Sequence, residues 1–234
     1  MRKKAVSLIS GGLDSCVASY IAKDKGYDVF GISFRYGQRH EKEIDCSKKI
    51  VKSLNAKEHK IIDIDFNQFG KTSLLKSSSV EIEYHRLNNI GNQIPTTYVP
   101  YRNTVFLSIS MSYAESIDAD SIFIGVNSID YSGYPDCRPE FIDAFQKMAN
   151  LASKKSIEGK KIKIKTPLIN LKKYEIIKIG SRLNIPFEET WSCYRGKEKS
   201  CGHCDSCLLR LKGFKEAKLK DPLQYEFLPK WYTI

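Results

Sequence analysis

Short apolar runs that alternate with stretches of helical spacing constrain this 234-residue chain more than any other feature. Ala5-Val6-Ser7-Leu8-Ile9 is the first such run and stops at Gly11-Gly12. A strand covered on both faces needs no polar alternation, so the run reads as a buried parallel strand. Strands are expected at 5–9, 28–33, 59–64, 121–124 and 162–166, and helices at 15–25, 40–54, 102–117, from Pro139 onward and at 172–183. Asp14 or Ser15 is the expected cap of the first helix. Ile44, Ile50, Val51 and Leu54 are core candidates of the second. In the third, Phe106, Ile109, Tyr113 and Ile117 follow three-four spacing; in the fourth, Phe141, Phe145, Met148 and Ala152 share a face. Strands alternating with helices imply βαβ units. The expected class is α/β, a Rossmann-like parallel sheet with helices on both faces, plus a small C-terminal helical segment. A boundary near Ile185-Pro186 divides the chain into 1–184 and 185–234. Residues 65–100 and 125–138 stay irregular, and long loops within a compact domain often carry function.

Ser10-Gly11-Gly12-Leu13-Asp14-Ser15 follows the first strand and opens the first helix. Glycines let the backbone approach a phosphate, and a helix N-terminus offers unpaired N–H groups at the positive end of its dipole. Ser10 and Ser15 add hydroxyls. Asp14 beside a polyanion makes sense when Mg²⁺ lies between them, which points to a metal–nucleotide complex. Neither G-x-x-x-x-G-K-[ST] nor G-x-G-x-x-G is present, which excludes a Walker loop and a dinucleotide fingerprint. A tight Gly-Gly turn without a ligand is the plain alternative. The full string resembles the PP-loop of ATP pyrophosphatases, which cleave ATP between its α and β phosphates.

Four of the seven cysteines crowd near the C-terminus as Cys193-x₇-Cys201-x₂-Cys204-x₂-Cys207. Without a secretion signal, clustered thiols suggest a metal before disulfides. Four thiolates make a closed tetrahedral site, the structural kind for Zn²⁺, expected at one ion per chain. An iron–sulfur cluster also takes four cysteines, and a redox pair with spare thiols is the third reading. Gly202 relieves the turn between Cys201 and Cys204. The net charge of +11 favours anionic partners, or is a solvated lysine-rich surface. Residues 154–165 alone hold six lysines and one acid. At 41% hydrophobic and 28% charged residues, disordered and fibrous classes are excluded. No apolar run approaches the ~20 residues of a membrane span, and the N-terminal apolar run is too short for a signal peptide. A cytoplasmic protein is expected.

Three further segments narrow the reading: Tyr36-Gly37-Gln38-Arg39-His40, the stretch from Val99-Pro100-Tyr101-Arg102-Asn103 to Ser108, and the stretch from Gly125 to Phe141 that contains Asp130-Tyr131-Ser132-Gly133-Tyr134-Pro135-Asp136-Cys137-Arg138-Pro139-Glu140-Phe141. With the glycine loop and the cysteines, they resemble the 7-cyano-7-deazaguanine synthase family of the queuosine precursor pathway, from about residue 5 to residue 214. Residues 65–92 and the ending 221–234 match nothing firmly. The resemblance implies that 7-carboxy-7-deazaguanine, ammonia and ATP give a nitrile, preQ0, by two adenylations through an amide. Under this reading Ile9, Ser10, Gly11, Gly12, Leu13, Asp14, Ser15, Cys16 and Arg39 bind ATP with Mg²⁺. Asp14, Ser15 and Arg102 serve the chemistry. Arg39 and Arg102 are cations for phosphates or the substrate carboxylate, or else ion pairs at helix starts. Asp130, Tyr131, Tyr134 and Arg138 contact the base, Asp130 at its N–H edge and a tyrosine by stacking. No nucleic acid or membrane is required, and a homodimer is allowed.

The competing readings are a PP-loop tRNA-thiolating enzyme, a related enzyme adenylating another carboxylate, a glutamine-fed synthetase and a zinc module that binds RNA. A thiolase needs a free catalytic cysteine, for which Cys137 is the candidate. A glutaminase domain has no room in this chain.

Overall fold

The computed structural model describes residues 2–39, 41–69, 72–84, 94–127 and 133–233. β1 (Lys4–Leu8) lies at the centre of the sheet. α1 (Leu13–Asp24) returns the chain to β2 (Asp28–Arg35), and α2 (Lys42–Leu54) leads to β3 (Glu58–Asp63). The chain then crosses to the other side of β1 through α3 (Arg102–Ser116) and forms β4 (Ser121–Phe123). α4 (Pro139–Ala152) and the single turn α5 (Lys154–Ile157) precede β5 (Lys163–Lys165); α6 (Lys173–Arg182) and α7 (Asp205–Ala217) complete the order. The sheet has five strands in the order β3-β2-β1-β4-β5, all parallel. The α/β class and parallel sheet expected from the alternation are therefore present.

β1 shows why its run is apolar on both faces, Ser7 excepted. Val6 and Leu8 face one cluster with Phe106 and Leu107 of α3 and Ile142 and Phe145 of α4. Ala5 faces the other, with Val17 of α1, Ile50 of α2, Ile176 of α6 and Phe214 of α7. The polar Ser7 is tolerated at zero exposure because its Oγ lies 2.7 Å from that of Ser19, which donates to the Ser15 carbonyl.

Three local expectations are corrected. α1 begins at Leu13, two residues early, with Gly12 as N-cap and no side chain capping it, so Asp14 lies inside the first turn. The buried stripe of α3 is Asn103, Phe106, Leu107, Ser110 and Ala114. Phe106 stacks on Phe34 at 4.1 Å, and this contact turns Ile109, Tyr113 and Ile117 to the half-buried edge. In α4 the buried residues are Ile142, Phe145 and Ala149, while Met148 is 47% exposed. Among the described residues no helix is long and apolar enough to cross a membrane.

Candidate functional site

The strand order reverses direction at β1, whose neighbours are β2 and β4. The C-terminal ends of strands at such a switch point leave a crevice where ligands bind in open α/β sheets. Here that crevice is a cleft of about 290 Å³ lined by Ile9, just beyond β1, and by Ser10, Gly12, Leu13, Asp14 and Ser15 from the first motif. Arg39, Glu43, Arg102, Tyr134, Cys137 and Lys173 line it from other elements.

The loop is shaped by its serines. The Ser15 Oγ donates to the Gly12 carbonyl at 3.0 Å, and accepts from the Ser10 amide at 3.2 Å and the Ser10 Oγ at 3.0 Å. No side-chain oxygen caps α1, so its first N–H groups keep their capacity for an anion. Gly11 has φ +89°, and a Cβ there would lie 2.1 Å from the Glu43 carbonyl oxygen. Gly11 lets the start of α2 lie directly on the loop. Its own carbonyl accepts from the Trp191 amide at 2.9 Å.

Asp14 splits its carboxylate between two environments. Oδ2 accepts from Lys173 Nζ at 2.5 Å and from Asn127 Nδ2 at 3.1 Å. Oδ1 is buried and has no partner. An orphaned carboxylate oxygen beside unpaired helix amides fits a hard cation that arrives with a polyphosphate. Lys173, at the start of α6, escaped the sequence reading because one lysine in so basic a chain carries no signal by itself. Only the position of α6 brings it to the loop.

Arg102 opens α3, with its guanidinium 5.8 Å from the centroid of the Tyr36 ring. Burial works against its charge, but Tyr36, Tyr134 and Asp136 outweigh it and raise its pKa, keeping the guanidinium protonated. Tyr134 joins the same wall, its hydroxyl 2.8 Å from Thr97 Oγ1. Asp136 supports α3 from below, accepting from the Asn103 amide at 2.8 Å, while Asn103 Nδ2 donates to Cys137 Sγ at 3.1 Å.

Cys16, Arg39 and Arg138 lie in three different surroundings. Cys16 is fully buried in the cluster with Val17 and Ala18, and its thiol is pushed up chiefly by burial. Its amide donates to the Gly12 carbonyl. Arg39 is exposed at the cleft edge and donates to the carbonyls of Ser73, Ser78 and Val80, tying down that segment. Arg138 is the exposed N-cap residue of α4 and does not line the cleft. Asp130 and Tyr131 lie outside the described residues.

The four clustered cysteines are buried, with their sulfurs within 4.8 Å of one another. A tetrahedral site with metal–sulfur bonds of ~2.3 Å has sulfur–sulfur edges of about 3.8 Å; Cys201 and Cys207 are 3.9 Å apart. The amides of Cys201 and Cys204 donate to Cys193 Sγ at 3.3 Å and Cys201 Sγ at 3.4 Å, bonds that favour thiolates. None of the four is in a disulfide. The set can hold a metal ion.

The ending, opaque in sequence, covers this centre. Arg210 of α7, 2% exposed, grips Asp221 at 2.7 and 3.0 Å and also donates to Thr190 and the Phe187 carbonyl. Tyr225 donates to Asp221 at 2.7 Å, and residues 224–226 bond Ser200 on both its backbone groups.

The family model of the queuosine biosynthesis protein QueC matches residues 4–218. A 7-cyano-7-deazaguanine synthase of Thermoplasma volcanium is 49% identical over 100% of this chain and 95% of its own length. One of Acetivibrio thermocellus is 52% identical over 95% of this chain and 98% of its own. Among solved structures, an NMN synthetase from Francisella tularensis aligns with a TM-score of 0.51 at 16% identity, covering 94% of this chain and 79% of its own, a likeness of fold alone. Half the residues shared along nearly the whole length, together with the family match across both the sheet and the cysteine segment, settle the kinship: the chain belongs to the QueC family of queuosine biosynthesis proteins.

Proposed function

We propose that the chain makes 7-cyano-7-deazaguanine from 7-carboxy-7-deazaguanine, ammonia and two ATP. The observation that carries this reading is the meeting, in one cleft, of an uncapped helix start, the half-satisfied Asp14 and the protonated Arg102. A carboxylate is a poor electrophile. Its oxygen attacks the α phosphate of ATP, pyrophosphate leaves, and ammonia then displaces AMP to give the amide. The amide oxygen attacks a second ATP, and loss of AMP with the N–H protons gives the nitrile. Catalysis of this kind is positioning and charge neutralisation, without a protein nucleophile.

The residues divide that work. The loop amides from Leu13 to Ser15 bind the departing pyrophosphate, and Lys173 adds positive charge beside them. Arg102 orients the substrate carboxylate, whose planar pair of oxygens suits a guanidinium fork. Tyr134 offers a ring face to the base. Asp14 Oδ1 would hold the Mg²⁺ that accompanies ATP, which supplies charge neutralisation on the phosphates. The four cysteines would hold one Zn²⁺, which supplies a structural cross-link.

The test is mass spectrometry of a reaction with 7-carboxy-7-deazaguanine, ATP, Mg²⁺ and ammonium, with nucleotide products counted. Two AMP and two pyrophosphate per nitrile are expected. Release of ADP and phosphate would remove the adenylation mechanism.

A further inference from the structure

Nitrogen enters the reaction just proposed carrying protons and leaves carrying none. Ammonium must lose one proton before its nitrogen can attack. A second leaves the adduct as the C–N bond forms, the C–O bond breaks and AMP departs with the electron pair. The last two leave the amide nitrogen as the second AMP departs and C≡N forms. The loop, Lys173 and Arg102 are all donors or cations, and none can accept a proton. Asp14 Oδ2 already accepts from Lys173 and Asn127, and Oδ1 is the oxygen assigned to Mg²⁺.

Glu43 is the remaining carboxylate on the wall of the cleft. It sits in the first turn of α2, and its backbone carbonyl rests against Gly11, so the phosphate loop fixes its location. Across the cleft it faces Arg102 of α3 and Tyr36 beyond β2, both of which line the same cavity. Cys46, a turn along α2, is the other titratable group that feels its charge. Among the described residues no hydrogen bond fixes its carboxyl. Burial raises Glu43 to about 7, against the opposing pull of Arg102. A base near the working pH is the most effective proton acceptor.

We infer that Glu43 is the general base of the nitrogen steps, taking protons from ammonium and from the adducts it forms. The inference rests on the reading above. Proton transfer by a positioned side chain contributes roughly 100- to 10,000-fold.

Glu43→Gln tests it, since the swap keeps size and leaves the backbone contact with Gly11 intact. Three measurements are needed. In the first, 7-carboxy-7-deazaguanine-dependent exchange of pyrophosphate into ATP should survive within a few-fold, because adenylation needs no base. In the second, nitrile formation with ammonium should fall about 100-fold or more. Wild-type kcat/KM should rise with pH through about 7, as Glu43 ionises, and the variant should lack that limb. In the third, hydroxylamine, largely unprotonated at neutral pH, should restore acyl transfer as the hydroxamate. Wild-type turnover with an unchanged pH profile in the variant overturns the inference. So does parallel loss of pyrophosphate exchange, which would make Glu43 a positioning residue for adenylation. If the wild type itself catalyses no exchange with this carboxylate, the proposed reaction fails instead.

Discussion

Cys137 is where a single side chain separates two chemistries. Its thiol is 3% exposed, lines the cleft and accepts from Asn103 Nδ2 at 3.1 Å. A sulfur-transfer enzyme would need such a thiol as nucleophile. Nitrile formation through adenylates needs none, and the role visible here is to hold Asn103 at the start of α3, one residue from Arg102. Serine keeps an acceptor at that position but puts a more polar atom into a buried site. Cys137→Ser is therefore expected to lose about 1–2 kcal/mol of stability. It should keep kcat within a few-fold, with any loss appearing in the KM for the carboxylate through a shifted Arg102. Chemical unfolding and steady-state kinetics on one preparation check both halves. A folded variant that binds ATP and substrate yet makes no nitrile would require a covalent thiol step.

At the scale of elements, the loop, α1 and the start of α2 form one unit, and Gly11 is the joint. Gly11 and Gly26 both have positive φ, +89° and +81°. At Gly26 an added Cβ meets nothing within 4 Å, whereas at Gly11 it would lie 2.1 Å from the Glu43 carbonyl. Gly26→Ala should cost only the backbone strain, about 1–2 kcal/mol. Gly11→Ala must in addition push α2 off the loop, so its stability loss should be larger and its turnover at least about 100-fold lower. Matched unfolding curves and turnover for the pair give the answer; equal behaviour would mean that α2 does not position the site. Much of this unit was legible in the sequence. Glycines after an apolar run announced the turn, and outside this unit cysteine spacing announced the gathered thiols, because both depend on near neighbours. The true N-cap was not legible, since Asp14 and Ser15 are ordinary capping residues and only the fold turns Asp14 to Lys173, 159 positions away. Nor was the buried face of α3, which the stack on Phe34 decides. Glu43 carries no signal in the sequence, because an acid in a helix's first turn is ordinary and only the fold brings Arg102 and Tyr36 opposite it.

Across the whole molecule, the cysteine centre is connected to the glycine loop through Trp191 and to the cleft wall through Arg210, and these two routes decide what metal loss should do. Trp191, two residues before Cys193, donates its amide to the Gly11 carbonyl at 2.9 Å. Arg210, three residues after Cys207, is buried against the cleft, clamps Asp221 of the ending and donates to Thr190. The ending in turn lies on the centre, since Gly202 has φ +80° and a Cβ there would lie 1.7 Å from the Phe227 carbonyl oxygen. A structural metal's binding energy is folding energy. Stripping the proposed zinc should therefore loosen residues 190–233 and the 10–15 loop together, rather than only the cysteine knuckle. A loss of a few kcal/mol corresponds to a fall in Tm of roughly 10 °C for a chain of this length. Hydrogen exchange should show protection lost first at 190–226 and at Gly11 to Ser15, while β2 and β3, whose ladder touches neither route, keep theirs. ATP affinity should drop in parallel, and readdition of zinc should restore both at about one ion per chain. If the cysteine segment loosens while the loop keeps its protection and its ATP affinity, the two routes carry no coupling, and the metal serves its own segment alone.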